Sequence, residues 1–243
     1  MLEMFANSLV SGFFKSNFTG QAIVLAQLLG SVIMVAVIIG KWKALSGTEH
    51  AMKRISRDVM SGRDVLEYYL QRHPSSHTSI ENIYTATCER LLKLLTPDAR
   101  ALMMGRAGEG KPVALTAHEV GLVKSLCEHV LDEEEMRIEH GMGVIATVVA
   151  LSPMLGLLGT VWGVLDAFAE MGAAGNATIS TLAPSISAAL VTTVVGLLIA
   201  IPGVLAYNSQ TATIRGIVSD MEGFADDLTG RIALEFQGQG RDA

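Results

Sequence analysis

Long apolar runs, rather than apolar–polar alternation, organise this chain. Three stretches carry no charged residue: Ala22 to Gly40 over nineteen positions, Gly143 to Leu165 over twenty-three, and Leu182 to Ala206 over twenty-five. A helix needs about 20 apolar residues to cross a hydrocarbon core of about 30 Å, so each run predicts a transmembrane helix. The alternative, a buried helix in a large soluble core, is disfavoured once a run passes about 18 residues. For the first run a cleaved signal peptide is the other alternative, but signal peptides place about 7–15 apolar residues behind a basic start. Here Lys15 is the only base before the run, and the bases follow it, so it reads as a retained span. The stretch from Leu2 to Phe18 alternates apolar and polar residues and predicts a short interfacial amphipathic helix.

The bases give an orientation. Of eighteen Lys and Arg, fourteen lie between Lys41 and Arg137, and Arg215, Arg231 and Arg241 follow the third run. Asp166 to Thr181 has none. Bases close to a span, here Lys41, Lys43, Lys53, Arg54 and Arg57, hold their segment on the cytoplasmic side. The expected layout is therefore a periplasmic or interfacial segment 1–21 and a first span 22–40. A cytoplasmic helical segment 41–142, a second span 143–165 and a periplasmic loop 166–181 follow. A third span 182–206 and a cytoplasmic helix and tail 207–243 complete it. The expected fold class is an all-α integral membrane protein with three transmembrane helices.

The inner segment has helical punctuation. Ser46 with Glu49, Thr78 with Glu81 and Thr116 with Glu119 have the spacing of capping boxes, a hydroxyl and a carboxylate that satisfy each other's helix-start N–H groups. Pro74 and Pro97 interrupt helices, and Gly105 to Pro112 reads as a loop. From Ala117 no proline or glycine stops the helix before Gly141. One helix from Ala117 to about Phe168, on the order of 75 Å long, is expected. The third span runs on without proline to Phe236, and the glycine-rich end 237–243 is expected to be disordered. The second and third helices thus extend into the cytoplasm. Protruding helices must bury their apolar positions, which points to a homo-oligomer.

Composition narrows the function. Half of the 243 residues are hydrophobic and 17% charged, against about 25% in soluble domains. A net charge of −6 without a basic tract argues against nucleic acid as a partner. Two cysteines, Cys88 and Cys127, are too few for a disulfide scaffold, and in a reducing compartment they remain free thiols.

The last two spans have small faces. Ser152, Gly156, Gly159 and Gly163 share one face of the second, with Thr160 at its margin. Ser185, Ala189, Thr192, Gly196, Ala200 and Gly203 share one face of the third, with Thr193 beside it. Such faces let helix backbones approach closely, and Gly159-xxx-Gly163 has the spacing of that motif. Hydroxyls can also donate and accept, and so relay a proton to a carboxyl group; simple packing glue is the plainer alternative. Pro153 and Pro202 predict kinks or local unwinding. Neither span contains an ionisable residue, whereas proton paths across membranes usually do. If the chain moves protons, the titrating group belongs to another chain. Asp166 and Glu170 are expected at the outer edge, facing water.

Other chemistry is weaker. Gly105-xxxx-Gly110-Lys111 imitates a phosphate loop, but Pro112 stands where Ser or Thr is needed and no strand precedes it. His129 and Glu133 are four apart without a further ligand, so no metal site is expected. Asp132 to Glu135 reads as a solvated face. No nucleophile motif, cofactor or enzyme activity is expected.

Two motifs then carry a resemblance. Ser152-Pro153-x-x-Gly156-Leu157-Leu158-Gly159-Thr160-Val161-Trp162-Gly163 resembles the second-span signature of the MotA/TolQ/ExbB proton-channel family. Ala183 to Thr193, then Gly196, Ala200-Ile201-Pro202 and Ala206-Tyr207-Asn208, resembles its third-span signature. The three-span layout is similar to the TolQ/ExbB branch. The resemblance implies a homopentameric stator subunit in a bacterial inner membrane, with protons as the coupling ion. It further implies a pore holding a TolR/ExbD-like single-span partner, commonly in two copies. The partner's aspartate carries the proton, and work passes to a periplasmic or outer-membrane protein. Thr160 and Thr193 match the family's pore threonines. The family commonly has glutamate where this chain has Ala188, and glycine where it has Ser185, so Ser185, Ser187 and Thr192 are candidate neutral hydroxyls of the path. A membrane scaffold and a small-solute permease subunit are the alternatives.

Overall fold

The computed structural model describes residues 12–14, 16–61, 65, 66, 68, 69, 78–95, 115–174 and 179–236. It has five helices among them: α1 (Phe18–Ser61), α2 (Ser79–Leu94), α3 (Ala117–Glu139), α4 (Met142–Ala174) and α5 (Ile179–Phe236). Three helical stretches are long and apolar enough to cross a membrane, beginning at Phe18, Ala117 and Leu182. An integral, all-helical membrane protein is the fold class. The chain divides into two compact units, Met1–Trp42 with Gly141–Thr211, and Lys43–His140 with Ala212–Ala243.

The first unit holds the apolar part of α1, all of α4 and the start of α5. These helices are apolar nearly all round, as lipid-embedded or assembly-facing helices are. Leu29, Val32, Leu157, Leu165, Ile201 and Leu205 stay exposed while Ile145, Met34 and Ala167 are buried. Small residues set the spacing. A side-chain carbon on Gly203 would lie 2.7 Å from Val149 Cγ2, and one on Gly159 would lie 2.8 Å from Thr192 Cβ. Contacts that short leave room for hydrogen only.

The second unit is an amphipathic bundle. On α5, Ile214, Ile217, Met221, Phe224, Leu228, Ile232 and Phe236 are buried at three- and four-residue spacing, the signature of one apolar stripe. α2 lies against α3. Tyr84 ties the turn after α1, donating its hydroxyl to Val65 O at 2.6 Å and accepting from Tyr69 N at 3.1 Å. Arg231 Nη1 donates to Val59 O and Met60 O, satisfying carbonyls that the end of α1 leaves without helical partners. Both cysteines are buried free thiols, and burial, the largest cause, raises the Cys127 pKa.

Several expectations change. The helix expected from Ala117 to Phe168 is broken at His140 and Gly141, because Gly141 takes φ +89°, a left-handed conformation open to glycine. Ser46 caps nothing: α1 runs through it to Ser61, and the hydrogen-bonded ladder there leaves no helix start to satisfy. Thr78 is an N-cap but its side chain makes no backbone cap bond; its hydroxyl donates to Glu81 Oε2 instead. Thr116 and Glu119 form the complete box. The loop expected at 166–181 is shorter, since α4 continues to Ala174 and α5 starts at Ile179 through good helix formers such as Ala167, Ala169 and Glu170. α4 and α5 remain helical across Pro153, Pro184 and Pro202, so the prolines unwind neither helix. Glu134 departs from the solvated acidic face: it is buried, accepts from Asn82 Nδ2 at 2.8 Å and pairs with Arg137 at 3.3 Å. Most of the expected amino-terminal interfacial helix, Pro74, Pro97, the 105–112 loop and the 237–243 tail lie outside the described residues.

Candidate functional site

The seam between α4 and α5 is where the small faces meet. A side-chain carbon on Gly156 would sit 2.8 Å from Thr193 Cα, and one on Gly163 would sit 2.6 Å from Ala189 Cβ. Gly196 faces Ser152 O in the same way. Gly156, Gly159, Gly163 and Gly196 are therefore brought together on one contact, and each is glycine because a backbone or side chain of the opposite helix fills its place.

This close approach puts hydroxyls within reach of carbonyls across the seam. Thr160 Oγ1 and Thr193 Oγ1 are 2.5 Å apart, with either able to donate. Thr193 Oγ1 also lies 2.9 Å from Gly156 O. Thr160 Oγ1 lies 3.1 Å from Gly156 O and 3.2 Å from Ala189 O. Each hydroxyl has one proton and two acceptor lone pairs, so two arrangements satisfy the pair. In one, Thr160 donates to Thr193 and Thr193 donates to Gly156 O. In the other, Thr193 donates to Thr160 and Thr160 donates to Ala189 O. Exchange between them reverses the pair's hydrogen-bond direction without moving a helix. Such a pair can accept a proton at one oxygen and release one at the other.

Thr192 is different. It is buried and its hydroxyl reaches Gly156 O at 2.9 Å and Ala189 O at 2.8 Å, inside the seam. Ser187 is exposed and Ser185 half-buried; no hydrogen bond brings either to the threonine pair. Ser185 borders a small cavity with Ala188, Ala189 and Asp166. Ala188 itself is buried. Asp166 is half-buried rather than simply water-facing, and Asn17 Nδ2 donates to its Oδ2 at 2.8 Å.

Gln27 escaped sequence reading. It sits on α1, 1% exposed, and its Nε2 donates to Ser152 O at 2.9 Å and Thr192 O at 3.3 Å. One amide thus ties α1 to both helices beside the threonines. Its Oε1 is buried with no partner. The signal was available as a lone amide inside an otherwise apolar span. Gln210 repeats the device, donating to Ile38 O at 2.8 Å. Among the described residues no group of three or more metal-binding side chains occurs. His129 Nε2 and Glu133 Oε1 are 3.4 Å apart as a surface pair.

Comparison with known proteins agrees with the motifs. The family described as the MotA/TolQ/ExbB proton channel family matches residues 99–223, more than half of the chain. The Tol-Pal system protein TolQ of Haemophilus influenzae is 29% identical over 222 residues, covering 89% of this chain and 90% of that protein. TolQ of Pseudomonas aeruginosa is 28% identical over 86% of this chain and 85% of its own. A biopolymer transport protein ExbB of Xanthomonas campestris is 40% identical over 95 residues, 39% of this chain and 38% of that protein.

Proposed function

The chain belongs to the MotA/TolQ/ExbB proton channel family, TolQ/ExbB branch, and from that premise we propose that it is the ring-forming stator subunit of a proton-driven bacterial inner-membrane motor. Five copies surround a pore lined by α4 and α5. A single-span TolR/ExbD-like protein, in two copies, occupies the pore and carries the proton on an aspartate. The amino terminus is periplasmic and the carboxyl terminus cytoplasmic, as the placement of the bases favours. The helical parts after Trp42 and Thr211 extend into the cytoplasm.

The observation that carries this reading is the Thr160–Thr193 pair, 2.5 Å apart with alternative acceptors on both sides. The family's membrane chemistry needs a titrating group, and the spans of this chain contain none. A hydroxyl pair that can reverse direction is suited to exchange protons with a carboxyl group brought by another chain. Ser185, Ser187 and Thr192 are secondary members of the path, with Thr192 chiefly closing the seam. The work is delivered to a periplasmic or outer-membrane protein, and protons are the only cofactor-like species required.

Reconstitution tests this. The chain alone and the chain with a single-span, aspartate-bearing partner are placed in vesicles under an imposed proton gradient. Proton flux is expected from the complex and not from the chain alone. Equal flux without the partner would overturn the borrowed carboxyl. Stable pentamers that never take up a partner would support the scaffold alternative, which Thr192's spent hydroxyl favours.

A further inference from the structure

Beyond the spans, α1 and α5 leave an open pocket between them, lined by Glu49 from α1 and by Thr213, Gly216, Ile217 and Asp220 from α5. All of these residues lie in the second compact unit. The pocket has a volume of about 260 Å³. Gly216 forms part of its wall, and a side-chain carbon there would meet nothing within 4 Å. Glycine in a helix interior costs about 1 kcal/mol against alanine, and packing inside the chain gives no reason for it here. Lys53 stands at the rim, 2.8 Å from Glu49 Oε1. The hydrogen bond to Glu49, then the Glu49 charge and more weakly that of Asp220, raise the Lys53 pKa. Two carboxylates and one ammonium leave one negative charge unmatched beside an open space. A pocket of this kind fits a cationic side chain that reaches in from outside.

Arg215 has the matching chemistry. It is exposed, and among the described residues it makes no hydrogen bond or ion pair in its own chain. It adjoins Gly216 in sequence but lies about 140° round α5 from Asp220, so it is level with its own pocket and faces another way. α5 is one helix from Ile179 to Phe236, so copies that share a membrane hold position 215 at one depth. The flank of one copy that carries Arg215 therefore meets the pocket of the next at a matching level, a head-to-tail contact of the kind that builds rings. The other bases on α1, α3 and α5 are occupied or displaced. Arg231 donates to Val59 O and Met60 O, Arg137 pairs with Glu134 and Lys124 with Glu128. Lys43, Arg54 and Arg57 are at least five residues from Glu49, about 7 Å or more along α1. A lipid headgroup is out of reach as the partner of Arg215. Nine residues separate Arg215 from Ala206, about 13 Å of helix, and the headgroup layer is only about 5–8 Å deep.

We propose that Arg215 of one copy inserts between Glu49 and Asp220 of the next, so that the α1–α5 pocket is a docking site for a second copy of this chain. It rests on the ring-forming part of the reading above and names a contact that closes the ring outside the membrane. A guanidinium presents five donors in a fixed fork, and the carboxylates of Glu49 and Asp220 offer it acceptors from two helices. Round a ring, each copy gives one arginine and receives one.

The test is the number of copies held together as the purified chain is diluted in detergent, read by native mass spectrometry. Arg215→Asp and Asp220→Arg each set like charges against each other, and each is expected to weaken assembly at least about tenfold per contact. The doubly altered chain, Arg215→Asp with Asp220→Arg, restores an opposite pair at every contact and is expected to assemble like the unaltered chain. Should Asp220→Arg fail to fold beside Lys53, Arg215→Asn and Asp220→Asn take its place. Each is then expected to weaken assembly, and the two together no more than either alone, as residues in contact do. Unchanged assembly in the single variants overturns the contact, and so does a swap without rescue or a pair of losses that add. An unaltered chain that never holds more than one copy overturns the ring reading itself. An unaltered chain that assembles, with variants that match it, removes this contact alone.

Discussion

Gly156→Ala adds one carbon at the closest approach of α4 and α5. That carbon would lie 2.8 Å from Thr193 Cα and 2.9 Å from Thr192 O, both backbone atoms that cannot rotate away. Carbon contacts are comfortable at about 3.5–4.0 Å, so the helices must part by roughly 0.6–1 Å. The bonds from Thr192 and Thr193 to Gly156 O, each 2.9 Å, would then lengthen to about 3.5 Å or more, beyond hydrogen-bonding range. Overpacking costs about 1–3 kcal/mol, and each lost hydroxyl bond adds about 0.5–1.5 kcal/mol. A total of about 2–6 kcal/mol corresponds to a fall in melting temperature of roughly 4–24 °C for a chain of this size. The assay is thermal unfolding of the purified complex in detergent, with Gly40→Ala as comparison. Gly40 has nothing within 4 Å of its missing side chain, and alanine there is expected to be neutral or to stabilise α1 by up to about 1 kcal/mol. Gly156→Ala melting as high as Gly40→Ala would show that α4 and α5 are not held at the distance on which the threonine geometry depends.

Two further substitutions test other parts. Gln27→Leu removes the amide bridging Ser152 O and Thr192 O and is expected to cost about 1–2 kcal/mol, read by denaturant unfolding in mixed micelles; a gain would mean that the unpartnered Oε1 outweighs the bridge. Thr116→Ala is expected to cost about 1 kcal/mol at the start of α3. Glu119 has its pKa lowered, first by the hydrogen bond from Thr116 N and then by the Thr116 hydroxyl. A depressed carboxylate stabilises above its unfolded value and loses that contribution as pH falls through the folded one. Amide exchange at the first turn of α3 should therefore be protected at neutral pH and lose the Glu119 share below about pH 4.5, with Glu119→Gln removing the pH step. An unchanged step in Glu119→Gln would assign it elsewhere.

The spans and the seam were legible in the sequence because both are written in residue types. Charge-free runs of nineteen or more positions admit few other structures in water or lipid. Gly156, Gly159, Gly163 and Gly196 mark one contact because nothing larger fits there. What stayed hidden depends on three-dimensional pairing. Gln27 is a single polar letter whose meaning lies in two carbonyls 125 and 165 residues away. Asp166 looked like a surface acid at a span end until Asn17 and the cavity came beside it. The break at Gly141 turns on one backbone angle, which composition does not fix. Ser46 with Glu49 had the spacing of a cap inside a helix, since local capping signals yield to a longer helix held by packing.

The most direct measurement is proton flux through vesicles holding the complex with Thr160 and Thr193 both replaced by valine. Valine keeps the shape of threonine and removes the exchangeable proton, so assembly is expected to persist. Flux should fall at least about a hundredfold, the low end of what a positioned proton-transfer group contributes. Flux equal to that of the unaltered complex, in particles of the same composition, would show that the two hydroxyls are packing glue and that protons cross elsewhere.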